Sequence, residues 1–240
     1  MLQGVPFSFD DSIKATYSGS FFGLLNPYAL LAGLVSVAML LLHGAVWLQL
    51  KTDGELLARA RGVAVLLGLA TTALFGLAGL WLALGIDGYV ITSDFAGDAA
   101  SNPLAKTVLR EDGAWLANYG RWPWMLLAPA TGLLAPVAAA LLSARGRGAL
   151  AFVASSASIA GIILTAGFSM FPFMMPNSAN PSQSLTLWDA SSSHYTLSIM
   201  FWVAAFFVPL ILAYTAWSFY VMRGRVSEAD VRDGSSHTVY

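Results

Sequence analysis

Three histidines, eight methionines and thirteen carboxylates are the side chains of this 240-residue chain that could ligate a metal or haem or move a proton. There is no cysteine, which excludes disulfides, thiolate-ligated haem, iron–sulfur clusters and a catalytic thiol. His43 stands inside a long apolar run, about eight residues or roughly 12 Å from the Lys51 that ends it. Three readings of it are open: a neutral imidazole hydrogen-bonded to a neighbouring helix, a contact to a quinone or lipid head group, and a haem ligand. His194 opens another apolar run near the opposite face, so the two cannot clamp one haem, and His237 belongs to a polar tail. A pairing of His194 with Met170, Met174 or Met175 stays open beside the ordinary use of methionine as core filler. No side chain is assigned as catalytic, and none as a metal ligand.

The elements that must position these groups are membrane spans. Hydrophobic residues make up 57% and charged residues 10% of the chain, where a soluble domain carries about 45–50% and about 25%. From Gly148 to Met222 the single Asp, Glu, Lys or Arg is Asp189. The spacing of charges and prolines predicts an all-α integral membrane bundle of five transmembrane helices, over about 27–50, 62–86, 122–144, 148–171 and 195–222. Asn26-Pro27 is a helix-start signal, and Gly62, Gly68, Gly76, Gly79 and Ala73 permit close helix contact in the second span. Pro129 and Pro136 predict a bend in the third, and Pro209 is tolerated in the fifth. Ala154, Ser155, Ala157, Ser158, Gly161 and Thr165 supply small residues for packing the fourth.

Residues 1–24, 87–121 and 172–194 are then loops on one side. Leu104, Val108, Trp115 and Leu116 in the second of them suit either a short surface helix or a plain loop. Asp189, beside Trp188, reads either as a cap for the approach to the fifth helix or as a contact to a partner. Trp115, Trp122, Trp124, Trp188, Trp202, Trp217, Tyr195 and Tyr220 fall near span ends, as interfacial belts do. Segments 51–61, 143–148 and 223–240 hold eight of the twelve Lys and Arg, so the amino terminus is expected outside and the 223–240 tail in the cytoplasm. A signal peptide is not expected, because residues 1–11 offer neither a basic start nor an apolar core. The net charge of −1 gives no basis for binding nucleic acid. No Asp, Glu, Lys or Arg lies within a span, which argues against a self-contained proton pump.

Asn26-Pro-Tyr-Ala-Leu-Leu-Ala-Gly33, His43-Gly-Ala45, Gly85-Ile-Asp-Gly-Tyr89, Ala100-Ser-Asn-Pro-Leu104, Gly113-Ala-Trp115, Thr165-Ala-Gly-Phe-Ser-Met-Phe-Pro-Phe173, Leu187-Trp-Asp-Ala190 and Tyr214-Thr-Ala-Trp217 closely resemble subunit II of the cytochrome bd-type quinol oxidases, in the family's order and from Leu2 to Tyr240. The resemblance implies the non-haem scaffold of a two-chain complex in a bacterial inner membrane. Its partner, subunit I, carries haem b, haem d and the quinol-oxidising loop, and the complex passes electrons from quinol to oxygen. Quinone and lipids are further expected contacts, with His43 as the candidate residue. Family members begin with about three more transmembrane helices, so Met1 is expected to fall in the outer loop after the third, and the family's buried acidic residues tied to proton delivery lie in that part. Gly120-Arg-Trp-Pro-Trp124 is similar to a Gly-Arg-Gln-Pro-Trp signature of subunit I, with one mismatch, and quinol oxidation is not moved here on that ground. The rival readings are a multi-span membrane transporter, suggested by the proline-containing third and fifth helices, and an inert fragment unable to assemble.

Overall fold

The computed structural model describes residues 1–10, 12–93, 102–221 and 224. Helix α1, Pro27–Lys51, begins where Asn26 Oδ1 accepts from the Ala29 N–H at 2.8 Å, with Pro27 in the first-turn position that needs no donor. Two residues later α2, Gly54–Gly85, starts, eight residues ahead of the Gly62 expected from the charges. Charge marks where an apolar run stops, not where a helix does. Glu55, Leu56, Leu57, Ala58 and Arg59 are good helix formers, and Glu55 pairs with Arg59 one turn on at 2.5 Å. After a five-residue α3, Ala117–Arg121, the short turn Pro123–Leu126 leads into α4, Leu127–Ala144. Helix α5 is Gly148–Met170, α6 is Leu187–Ala190 and α7 is His194–Val221. Among the described residues five helices are long and apolar enough to cross a membrane. The ends expected at Met222 and in the 223–240 tail lie outside the described residues, apart from Gly224.

Four of the five close into a bundle in which α1 packs on α2, α2 on α4, α4 on α5 and α5 back on α1. Glycine permits two close approaches of helix backbones. A Cβ on Gly161 would stand 2.6 Å from the Gly132 nitrogen, and one on Gly68 would stand 2.6 Å from the Pro136 carbonyl oxygen. Of the glycines expected to serve contact in α2, Gly62 and Gly79 face open space instead. Pro136 sits inside α4, and Thr72 of α2 donates its hydroxyl to the nearby Leu133 carbonyl at 3.2 Å. Along α7 no residue is buried, and Phe219 meets Trp47 of α1 with ring centroids 5.8 Å apart.

All the long connections gather at one end of this bundle, and they are more ordered than loops. Three antiparallel hairpins cover the helix ends: β1 (Phe7–Phe9) with β2 (Ala15–Tyr17), β3 (Gly88–Ile91) with β4 (Val108–Glu111), and β5 (Phe173–Met175) with β6 (Leu185–Thr186). The segment from Leu104 to Leu116 is neither a single surface helix nor a plain loop throughout. Val108 pairs with Ile91 in a strand, and Trp115 lies in a 3-10 turn, Ala114–Leu116. Nor does Trp115 belong to an interfacial belt. It is 1% exposed, set between Tyr89 at 5.6 Å and Phe173 at 6.1 Å, because its turn folds it back over the ends of α2 and α5. At the opposite end the connections are minimal, residues 52–53 and Arg145-Gly146-Arg147, with Gly146 at φ 72° making the tight turn.

Candidate functional site

His43 is the ionisable group placed inside the bundle, near the end with short turns. Its Nδ1 lies 2.9 Å from Ser155 Oγ on α5, and the Ser155 hydroxyl donates back to the Phe152 carbonyl at 2.9 Å. A serine has one hydrogen to give, so while it goes to the Phe152 carbonyl the His43 bond requires Nδ1–H as the donor, and in a neutral ring Nε2 is then the acceptor. Phe152 lies against the imidazole with centroids 4.7 Å apart, and Trp47, one turn along α1, is 5.4 Å from Phe152. Lys51 Nζ sits 5.4 Å over the Trp47 ring. The result is a half-buried aromatic strip that ends in a cation, on the seam between α1 and α5.

The structure brings no second histidine to His43. Its Nδ1 is held by Ser155 and its ring lies against Phe152, and a bis-histidine haem would need another imidazole facing Nε2 at the same depth. His194 is exposed at the first turn of α7, at the hairpin end, so the structure does not bring it to His43. Met170 packs into the core under the hairpins, Met174 is half-exposed, and His237 lies outside the described residues. Among the described residues no group of three or more His, Asp or Glu could hold a metal ion.

The buried polar chemistry that sequence reasoning missed lies under the hairpins. Lys106 Nζ donates to Asp189 Oδ2 at 2.7 Å and to the Pro103 carbonyl at 3.0 Å, and the two charged side chains are 0% and 1% exposed. The same Asp189 oxygen accepts from the Thr186 N–H at 3.0 Å and from its hydroxyl at 2.6 Å. Asp189 therefore takes part in the capping box of the one-turn helix α6, which lies just before α7. Burial alone would raise its carboxyl, but the hydrogen bonds from Lys106 and Thr186 outweigh this and hold it below the usual aspartate range. The signal available in the sequence was the Thr186-x-x-Asp189 spacing. Nothing in the sequence pointed to Lys106, 83 positions away.

Further long-range bonds tie the hairpins into one cover. The parallel bridge of Val5 with Asn177 carries Asn177 Nδ2 to the Phe7 carbonyl at 2.7 Å. Arg110 donates to Tyr89 at 3.0 Å and to the Ser178 carbonyl at 2.9 Å. Asn118 donates to the carbonyls of Phe168 and Phe171 at 2.8 and 2.6 Å.

The family model for cytochrome bd terminal oxidase subunit II matches residues 1–222. The chain belongs to that family. Cytochrome bd-I ubiquinol oxidase subunit 2 of Escherichia coli K12 is 49% identical over all 240 residues of this chain and 63% of its own length. The probable cytochrome oxidase subunit 2 of Haemophilus influenzae is 46% identical over the same shares, and the cytochrome bd ubiquinol oxidase subunit 2 of Bacillus subtilis is 25% identical over 234 residues, 58% of its length. The chain thus spans less than two thirds of the length of the relatives it matches. For this family member the helical-bundle fold class and the family assignment read from the sequence both hold.

Proposed function

We propose that this chain acts as subunit II of a bd-type terminal oxidase, the scaffold of a complex that passes electrons from quinol to oxygen. The observation that carries the reading is the similarity to ubiquinol oxidase subunits across the whole chain, 49% with the Escherichia coli relative. Helix α7, apolar and without a buried residue, supplies a face for a membrane partner, which on this reading is the haem-bearing subunit I. Haems b and d belong to that partner, and no step is assigned to a side chain of this chain. His43, with Phe152 and Trp47, is the candidate contact for a quinone or lipid, Nε2 accepting from a hydroxyl and the rings lining the flank. Residues 1–24, 87–121 and 172–194 are placed outside a bacterial inner membrane and the 223–240 tail in the cytoplasm, by the distribution of Lys and Arg.

The test is co-purification. An affinity tag on this chain, co-expressed with subunit I, is expected to retain subunit I with its haem absorbance through purification in mild detergent. Recovery of the chain alone, in amounts that show it is folded, would point to a fragment that does not assemble.

A further inference from the structure

At the end of the bundle with short turns, Gln49 and Leu50 of α1, Leu57 and Arg61 of α2, the Gly146-Arg147 turn and the first turn of α5 surround a cavity of about 480 Å³. Three features of its wall belong together. The N–H groups at residues 148–150 open the 23-residue α5, and no side chain caps them. Arg61 lies over the Gly146 turn, where a Cβ on that glycine would meet its Nη2 at 3.3 Å, and its buried Nε has no hydrogen-bond partner among the described residues. Gln49, 4% exposed, gives Nε2 to Ser143 Oγ at 3.1 Å, while its buried Oε1 has no partner. Buried polar atoms are seldom left so, and the two residues that carry these line one cavity.

The charges have one sign. Arg61 and Arg147 line the cavity, and among the described residues no carboxylate lines it with them, whereas Arg59, two residues from Arg61, is paired with Glu55. Leu50, Leu57 and Leu150 supply an apolar margin. Guanidinium groups and a helix N-terminus take a phosphate, and an amide oxygen next to them takes a hydroxyl or ammonium hydrogen. We propose that this cavity binds a phosphoester whose phosphate meets Arg61, Arg147 and the α5 N-terminus, and whose adjoining hydroxyl or ammonium group meets Gln49 Oε1. Phosphoglycerol chemistry has both parts, and it occurs as a phospholipid head group and as a soluble ester. The inference does not depend on subunit I.

The full chain in detergent, stripped of lipid, is titrated with dioleoyl phosphatidylglycerol and separately with glycerol 3-phosphate, binding being read by native mass spectrometry. Wild type is expected to bind the lipid, and Arg61→Gln and Arg147→Gln each to weaken binding about tenfold, the weight of one charge-assisted hydrogen bond. Arg59→Gln is expected to bind as wild type. Arg147 is exposed, so its variant carries the test if Arg61→Gln folds poorly. Tight binding of glycerol 3-phosphate with the same sensitivity to both arginines would assign the site to a soluble ester, with the phosphate chemistry intact. The proposal is overturned if wild type binds neither probe, if both arginine variants bind like wild type, or if Arg59→Gln loses as much as Arg61→Gln, which would mean a diffuse surface charge.

Discussion

Lys106 Nζ and Asp189 Oδ2 are 2.7 Å apart with both side chains shut off from solvent, and this pair pins the segment before β4 to the helix turn after β6. Removing one partner strands the other as a buried charge. Lys106→Met is therefore expected to cost about 3–5 kcal/mol, read as loss of thermal stability in detergent and as new cleavage within 172–194 under limited proteolysis. The double variant Lys106→Met, Asp189→Leu is expected to recover part of the loss, because it removes both charges together. Equal sensitivity of the double and single variants would deny the coupling.

Acid acts on the same pair. The folded carboxyl of Asp189 is held below its ordinary value, so its contribution is present above the usual aspartate range and is lost as pH falls through the lower folded value. Resistance of the 172–194 segment to an acid-active protease is expected to hold at pH 5 and to fall only at pH below about 4. A collapse of protection between pH 7 and 5 would show that another group controls the cover.

Helix contact through glycine gives a paired test. Gly161→Val puts a branched side chain against the Gly132 backbone, where even a Cβ would stand at 2.6 Å, and is expected to destabilise by about 1–3 kcal/mol in thermal unfolding. Gly79→Ala meets nothing within 4 Å and is expected to be neutral or to stabilise by up to about 1 kcal/mol. Similar losses in both would mean that helix flexibility, not packing, sets the cost.

Orientation can be read by thiol labelling, since the chain has no native cysteine. Ser143 is fully buried and bonded to Gln49, so the neighbouring exposed Arg145 is the suitable position at that end. Ala179→Cys is expected to react with an impermeant maleimide added to intact cells, and Arg145→Cys only after lysis. The reverse pattern inverts the assignment of sides.

His43→Ala removes a hydrogen bond to Ser155 and is expected to cost on the order of 1 kcal/mol, with the haem content of a purified complex unchanged in its Soret absorbance. Loss of one haem per complex would make His43 a ligand.

The sequence alone determined the properties that are local. A run such as Gly148–Met170 must cross the membrane because its length matches the hydrocarbon core and it carries no charge, whatever it packs against. Asn26-Pro27 set the start of α1 because a cap acts within one turn. It also disclosed the family, because the matching stretches run in order along the whole chain. Tertiary structure decided what depends on distant segments meeting. The neighbours of His43 could not be named until α5 brought Ser155 and Phe152 to it. Trp115 had the composition of a membrane belt and became core, because Tyr89 and Phe173 arrive from hairpins on either side of it in the chain. Lys106 looked like an ordinary loop lysine. Burying its charge costs several kcal/mol unless a carboxylate is delivered to it, and the one that comes, Asp189, is placed there by folding across 83 positions, a distance no periodicity or cap signal spans.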